Sequence, residues 1–107
     1  VGADVRPAGQ DWMKAPNIPG SFVINCGDCC RRWTNDRFAS TMHRAYNRKG
    51  AERYSTPYFA IPDFDAVVEC LPTCTGPGNP PKYAPISYGE YIAEVNRRNY
   101  DFLAGKK

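Results

Sequence analysis

The sequence predicts a mainly β domain that ends in one α-helix. Three observations carry that expectation. Ten prolines in 107 residues are nearly twice the average share of roughly 5%, which disfavours a helical bundle and favours short elements joined by turns. Runs rich in aromatic and β-branched residues, such as Ser21-Phe22-Val23-Ile24-Asn25-Cys26, are interrupted by turn-forming clusters. The one long helical periodicity lies at the end, behind Ser87-Tyr88-Gly89-Glu90, where serine and glutamate stand at capping-box spacing.

The elements follow in order. Residues 4–6 and 11–14 read as strands on either side of Pro7-Ala8-Gly9. A loop over 16–20 leads into 21–26, which reads as a buried strand. Gly27-Asp28 offers a helix start, with Asp28 as the N-cap of one or two turns reaching Trp33. Thr34-Asn35-Asp36 is polar and turn-forming. Residues 40–46 and 52–61 then read as strands around Asn47-Arg48-Lys49-Gly50. Asp63-Phe64-Asp65 breaks the pattern before a strand over 66–71. Residues 72–85 hold five prolines and two glycines and read as a long surface loop. Tyr91, Ile92, Val95, Tyr100 and Leu103 mark the apolar stripe of a helix over about 88–104, ending near Gly105. About six strands and one helix make a single unit over 1–107 of sandwich or barrel type, with few strands for a closed one.

Composition narrows the function classes. A net charge of +3, spread evenly, argues against a nucleic-acid or membrane-surface partner. No apolar run reaches the roughly 18–20 residues of a membrane span. The first residues, Val1-Gly2-Ala3-Asp4, carry no basic region followed by an apolar stretch. The chain does not begin with methionine, so processing, or excision from something longer, is expected. Cysteines at 26, 29, 30, 70 and 74 are odd in number, and with no secretory signal they read as reduced thiols of a cytoplasmic protein. The pairs Cys26-x2-Cys29 and Cys70-x3-Cys74 also have zinc-ligand spacing, although Cys26 closes an apolar run and Cys30 crowds the first pair.

Three residues could carry chemistry. His43, the single histidine, falls in the strand expected over 40–46. Arg53 and Ser55 stand two apart in the next strand and so share a face. An arginine fork with a neighbouring hydroxyl suits a carboxylate, and a neutral imidazole can bind a metal. Each has a plainer reading: a hydrogen-bonded strand histidine, and an arginine paired with Glu52 or Glu69.

The run Ile24-Asn25-Cys26-Gly27-Asp28, then Arg32-Trp33-Thr34-Asn35-Asp36-Arg37-Phe38 and Ser40-Thr41-Met42-His43-Arg44, resembles the non-haem iron, 2-oxoglutarate-dependent oxygenases of the isopenicillin N synthase-like family. The resemblance continues through Glu52-Arg53-Tyr54-Ser55-Thr56-Pro57-Tyr58-Phe59, Asp65-Ala66-Val67-Val68-Glu69-Cys70-Leu71-Pro72 and Tyr88-Gly89-Glu90-Tyr91. It implies the C-terminal part of a double-stranded β-helix, or jelly roll. It also implies iron(II) as the metal, 2-oxoglutarate as cosubstrate with ascorbate supportive, and hydroxylation or desaturation of a small organic substrate. By the same resemblance His43 is the distal metal ligand, and Arg53 and Ser55 grip the remote carboxylate of 2-oxoglutarate. In isopenicillin N synthase itself the equivalent pair holds a substrate carboxylate instead. Trp33, Phe38, Tyr58 and Phe59 become candidates for the pocket wall.

The family also requires a His-x-Asp pair, which a chain with one histidine lacks. A facial triad needs three protein ligands, so the chain alone is expected to be inactive. The alternative reading is a truncated product that acts as a binding or assembly module and self-associates through exposed strand edges.

Overall fold

A strand persists only where a second segment lies beside it to receive its hydrogen bonds, and two places in this chain meet that condition. The computed structural model describes residues 2–47 and 50–100. The first ladder is a three-stranded antiparallel sheet of β1 (Gly2–Arg6), β2 (Met13–Lys14) and β3 (Met42–Tyr46), with β1 in the middle. Gln10 N–H donates to the Pro7 carbonyl at 3.1 Å in the turn between β1 and β2. Gly9 takes φ +72° there, in the region where a Cβ is penalised. Pairing sets Asp4 opposite both Lys14 and Arg44, and Val5 opposite both Met13 and His43.

The second ladder is a two-residue pair, β4 (Val67–Val68) with β5 (Ile86–Ser87). Around it pack α1 (Asp28–Trp33) and α2 (Tyr88–Asn99). Val68 and Tyr88 are the buried hydrophobic residues among those described, and Phe64 meets the Tyr88 ring edge-on at 6.0 Å. Gly89 stands where the backbone passes closest. Its N–H donates to the Phe64 carbonyl at 2.8 Å, and a Cβ there would meet the same oxygen at 3.1 Å.

Asn35 ties the loop over 72–85 to the end of α1. It sits at φ 51°, 4% exposed, a conformation asparagine tolerates better than most residues. Its Nδ2 donates to the carbonyls of Cys74 and Pro80 at 3.2 and 3.1 Å, and its Oδ1 accepts from Lys82 N–H at 2.9 Å. Asp36 beside it accepts from the Tyr83 hydroxyl at 2.6 Å and pairs with Lys82 at 3.4 Å. The Arg31 and Arg32 guanidiniums lie over the Tyr83 ring at 5.3 and 5.2 Å.

Several expectations need correction. Residues 21–26 and 52–61 form no strand. Neither has a ladder partner among the described residues, and Phe22, Ile24, Tyr54 and Tyr58 are all more than 80% exposed. The strand over 11–14 shortens to Met13–Lys14, and that over 66–71 to Val67–Val68. Asp28 is not the N-cap. Gly27 takes that place in extended conformation, and Asp28 sits in the first turn, where a carboxylate complements the helix dipole. The proline-rich loop is partly ordered, with a 3-10 turn over Pro72–Cys74 and a strand at its end, Ile86–Ser87. The C-terminal helix stops at Asn99, with Tyr100 extended. Leu103 and Gly105, and Arg48 and Lys49 of the expected turn, lie outside the described residues. Ser87 caps the helix as expected, its Oγ accepting from Glu90 N–H at 3.3 Å and meeting the Glu90 carboxylate at 2.9 Å.

The chain does not close on itself. Its radius of gyration is 16.8 Å, against about 13 Å for a compact domain of this length. Its accessible surface is 8916 Å², against about 6,000 Å² for a folded monomer of this mass. No closed barrel is formed by the described residues.

Two expected outcomes follow from the packing around α1. Asn35→Ala removes three hydrogen bonds and leaves their partners unanswered, so it lowers stability by about 2 kcal/mol, read as a lower urea midpoint. The second concerns Tyr91, whose hydroxyl donates to Asp28 at 3.3 Å. Burial, and then the Asp28 charge, push its phenol up to about 12. A raised phenol keeps its proton longer folded than unfolded, so it stabilises the fold below about pH 10, the usual tyrosine value. That contribution is lost as pH rises from there towards 12. Urea midpoints across this window should fall less steeply in Tyr91→Phe than in the unaltered chain.

Candidate functional site

His43 is the second residue of β3, opposite Val5. Strand alternation puts it on one face of the sheet with Val5 and Met13, and sets Asp4, Arg6 and Arg44 on the other. The imidazole is exposed, and its Nδ1 lies 3.1 Å from the Thr41 carbonyl oxygen. A carbonyl only accepts, so Nδ1 is the protonated nitrogen in that contact, and in the neutral ring Nε2 is then the nitrogen with the lone pair. This is the arrangement that orients a metal-ligating histidine and fixes its tautomer.

Arg53 and Ser55 lie in the irregular segment after Gly50. Arg53 is half-buried, and its Nε is fully buried with no hydrogen-bond partner among the described residues. Neither Glu52 nor Glu69 pairs with it there, which removes the plainer reading of a satisfied ion pair. Ser55 is exposed. The shared-face argument for the two loses its basis, because residues 52–61 are not a strand. No described hydrogen bond or ion pair links either residue to His43. A buried guanidinium nitrogen without an acceptor costs free energy; Arg31 and Arg53 each carry one, and Arg31 is paired through another of its nitrogens to Asp28, so of the two Arg53 fits a carboxylate anchor. His43 fits one ligand position.

Among the described residues no three His, Cys, Asp or Glu side chains converge as a metal site. The five thiols are all free, and their spacing pairs do not gather into a zinc centre. Of the aromatic wall candidates, Phe38, Tyr58 and Phe59 are exposed and enclose no pocket, while Trp33 is half-buried in α1. No described helix is long and apolar enough to cross a membrane.

Sequence reasoning missed one cluster. On the face of the sheet away from His43, Arg44 Nε meets the Asp4 carboxylate at 3.3 Å, and Asp4 is 1% exposed. The Arg44 guanidinium lies 4.1 Å from the centre of the Trp12 ring, with Arg6 5.2 Å from the same ring. The signal was the alternation itself: an acid and two arginines at positions of one parity in β1 and β3, with a tryptophan just before β2.

A family profile, that of the 2OG-Fe(II) oxygenase superfamily, matches residues 1–62. The chain belongs to that superfamily, whose name gives its metal and cosubstrate as iron(II) and 2-oxoglutarate. The 2-oxoglutarate-Fe(II) type oxidoreductase hxnY of Emericella nidulans is 39% identical over 94 residues, which are 88% of this chain and 27% of that protein. Kihadalactone A synthase LFS of Citrus sinensis is 46% identical over 83 residues, 78% of this chain and 24% of that one. A full-length Neurospora crassa protein, crystallised in complex with alpha-KG, superimposes with a TM-score of 0.77 at 30% identity, covering 88% of this chain and 33% of that one. The chain thus spans about a quarter to a third of the length of the proteins it matches.

The thiols supply a check. Burial pushes the Cys29 thiol up, and burial followed by the hydrogen bond with the Cys26 thiol pushes Cys30 up. The thiolate is the reactive form, so neutral-pH iodoacetamide should modify Cys29 and Cys30 more slowly than free cysteine, as read by peptide mapping. After unfolding without reductant, all five thiols should titrate.

Proposed function

We propose that these 107 residues form, as one unit, the C-terminal part of a double-stranded β-helix. The parent is an oxygenase that oxidises a small organic substrate, by hydroxylation or desaturation, while decarboxylating 2-oxoglutarate. Arg53 carries the reading. A guanidinium whose Nε is buried and unanswered, with a hydroxyl two residues on at Ser55, suits the remote carboxylate of a dicarboxylic acid. His43 offers Nε2 as one metal ligand, with Nδ1 held by the Thr41 carbonyl.

His43 is the single histidine, so the His-x-Asp ligands of the triad are assigned to residues outside this sequence. When bound, iron(II) supplies the redox chemistry that couples decarboxylation to oxidation of the substrate, with ascorbate keeping the metal reduced. What the chain's own residues do is simpler: His43 holds one position, Arg53 and Ser55 orient the cosubstrate, and the strands carry both. The exposed apolar side chains of 21–26 and 52–61 support this reading, because strands of a larger roll would cover them and complete their ladders. The chain by itself is expected to self-associate through the same edges. Five free thiols suit the cytoplasm.

The test joins these residues behind a family segment that bears a His-x-Asp motif and measures succinate formed from 2-oxoglutarate with iron(II) and ascorbate. Turnover is expected, and Arg53→Leu should raise the KM for 2-oxoglutarate on the order of 100-fold through two lost charge-assisted bonds. No succinate across a panel of substrates would favour the inert binding module instead.

A further inference from the structure

We propose that Asp4, Arg44 and Trp12 form a lock on the far face of the sheet that positions His43. This rests on reading His43 as a ligand. Arg44 follows His43 directly in β3, and the register places the two against consecutive residues of β1: Val5 opposite His43 and Asp4 opposite Arg44. Any slip or twist of β3 that moves one moves the other.

Arg44 is held on two sides. Its Nε meets the Asp4 carboxylate at 3.3 Å, and its plane covers Trp12 at 4.1 Å, with the Tyr46 ring 5.7 Å away. Asp4 is 1% exposed. Asp4 is removed from water while the Arg44 side chain keeps 44% of its exposure, so the pair is half-shielded, and separating it costs more than separating a surface ion pair. Lys14 lies opposite Asp4 on the other side, so the acid sits between two cationic strands. Arg6 adds a second guanidinium over Trp12 and reaches the Met42 sulfur at 3.3 Å. These contacts join β1 and β3 to Trp12, the residue just before β2.

The His43 face has no comparable hold. The imidazole is exposed, and its described hydrogen bond runs to Thr41, two residues back on its own segment. That contact needs the backbone of residues 41–43 to stay in one extended geometry, and the lock behind them fixes it. Asp4, Arg44 and Trp12 are therefore positioning residues: they touch neither metal nor cosubstrate, and they keep Nε2 as the nitrogen with the free lone pair.

His43 is the chain's single histidine, so ring-15N labelling gives one pair of imidazole signals. The measurement is made in mildly alkaline solution, where free imidazole is neutral. The unaltered chain should show mainly the Nδ1–H tautomer. Asp4→Asn and Arg44→Gln should each shift the tautomer ratio towards Nε2–H by about five-fold, the equivalent of one hydrogen bond. Arg44→Lys, which keeps the charge for Asp4, should recover part of the shift. Amide signals of Asn35 and Gly89, in the other ladder's unit, report that the variants are folded. A shifted ratio supports the lock only where the Val5–His43 cross-strand contact persists; a shift seen only together with loss of that contact overturns it. An unchanged ratio in both variants overturns it, and so does an equal shift in Asn35→Ala, which loosens the chain elsewhere. Because the readout needs no metal, absent succinate in the joined protein would strike the reading of His43 as a ligand and leave this result standing.

Discussion

The amides and carbonyls of an extended segment are satisfied only by another segment alongside, and that one requirement sorts this chain into its parts. β1 lies between two neighbours and, within the first sheet, carries an almost fully buried side chain, Asp4. β2 and β3 each have one neighbour, so each leaves an open edge among the described residues. Residues 21–26 and 52–61 have the same β-favouring composition but no neighbour, and they stay irregular and uncovered. β propensity describes fit to a pleated, half-buried surface rather than a backbone preference. Where the surface is absent, the propensity has nothing to act on.

The second unit solves the same problem by other means. Its ladder is two residues long on each side, too short to stand alone, and side-chain bonds from Asn35 together with single backbone bonds do what a longer ladder does elsewhere. Asn35 satisfies three backbone groups of the loop over 72–85, Trp33 O accepts from Leu71 N–H at 2.9 Å, and Tyr88 N–H donates to Ala66 O at 2.9 Å. Five prolines in that loop cannot donate, which leaves carbonyls such as that of Pro80 in need of a donor from outside. An asparagine amide at a left-handed position supplies it. The proline-rich stretch is thereby ordered against α1 without becoming sheet or helix.

What could be read beforehand follows the range of the interaction. Local signals were legible: the capping serine of α2, the helix through Trp33 and the turn at Gly9. Pairing was legible only where the hairpin was short. The β1–β3 ladder joins residues some forty apart, and nothing in either segment names the other. The helix stop at Asn99 and the Gly27 cap are choices between adjacent residues that composition does not resolve. For the site, Arg53 and His43 were singled out by a family pattern, and the structure adds two observations the pattern does not hold: a buried Arg53 Nε with no partner among the described residues, and a His43 Nδ1 beside the Thr41 carbonyl. The Asp4–Arg44–Trp12 cluster was hidden because it needs β1 and β3 in register, with the residue just before β2 alongside, before its members meet.

The two faces of the first sheet divide labour by chemistry. One is polar, crowded and self-satisfied, with two guanidiniums over one indole and a buried acid between cations. The other carries small and apolar residues around an exposed imidazole. Had the strand slipped by one residue against β1, Arg44 would face the open side and His43 the crowded one, since a one-residue slip inverts every side chain. The cost of uncovering Asp4 stands against that slip. A histidine on an open, weakly packed face cannot secure its own register; the ion pair behind it can, and it does so before any metal or covering strand arrives.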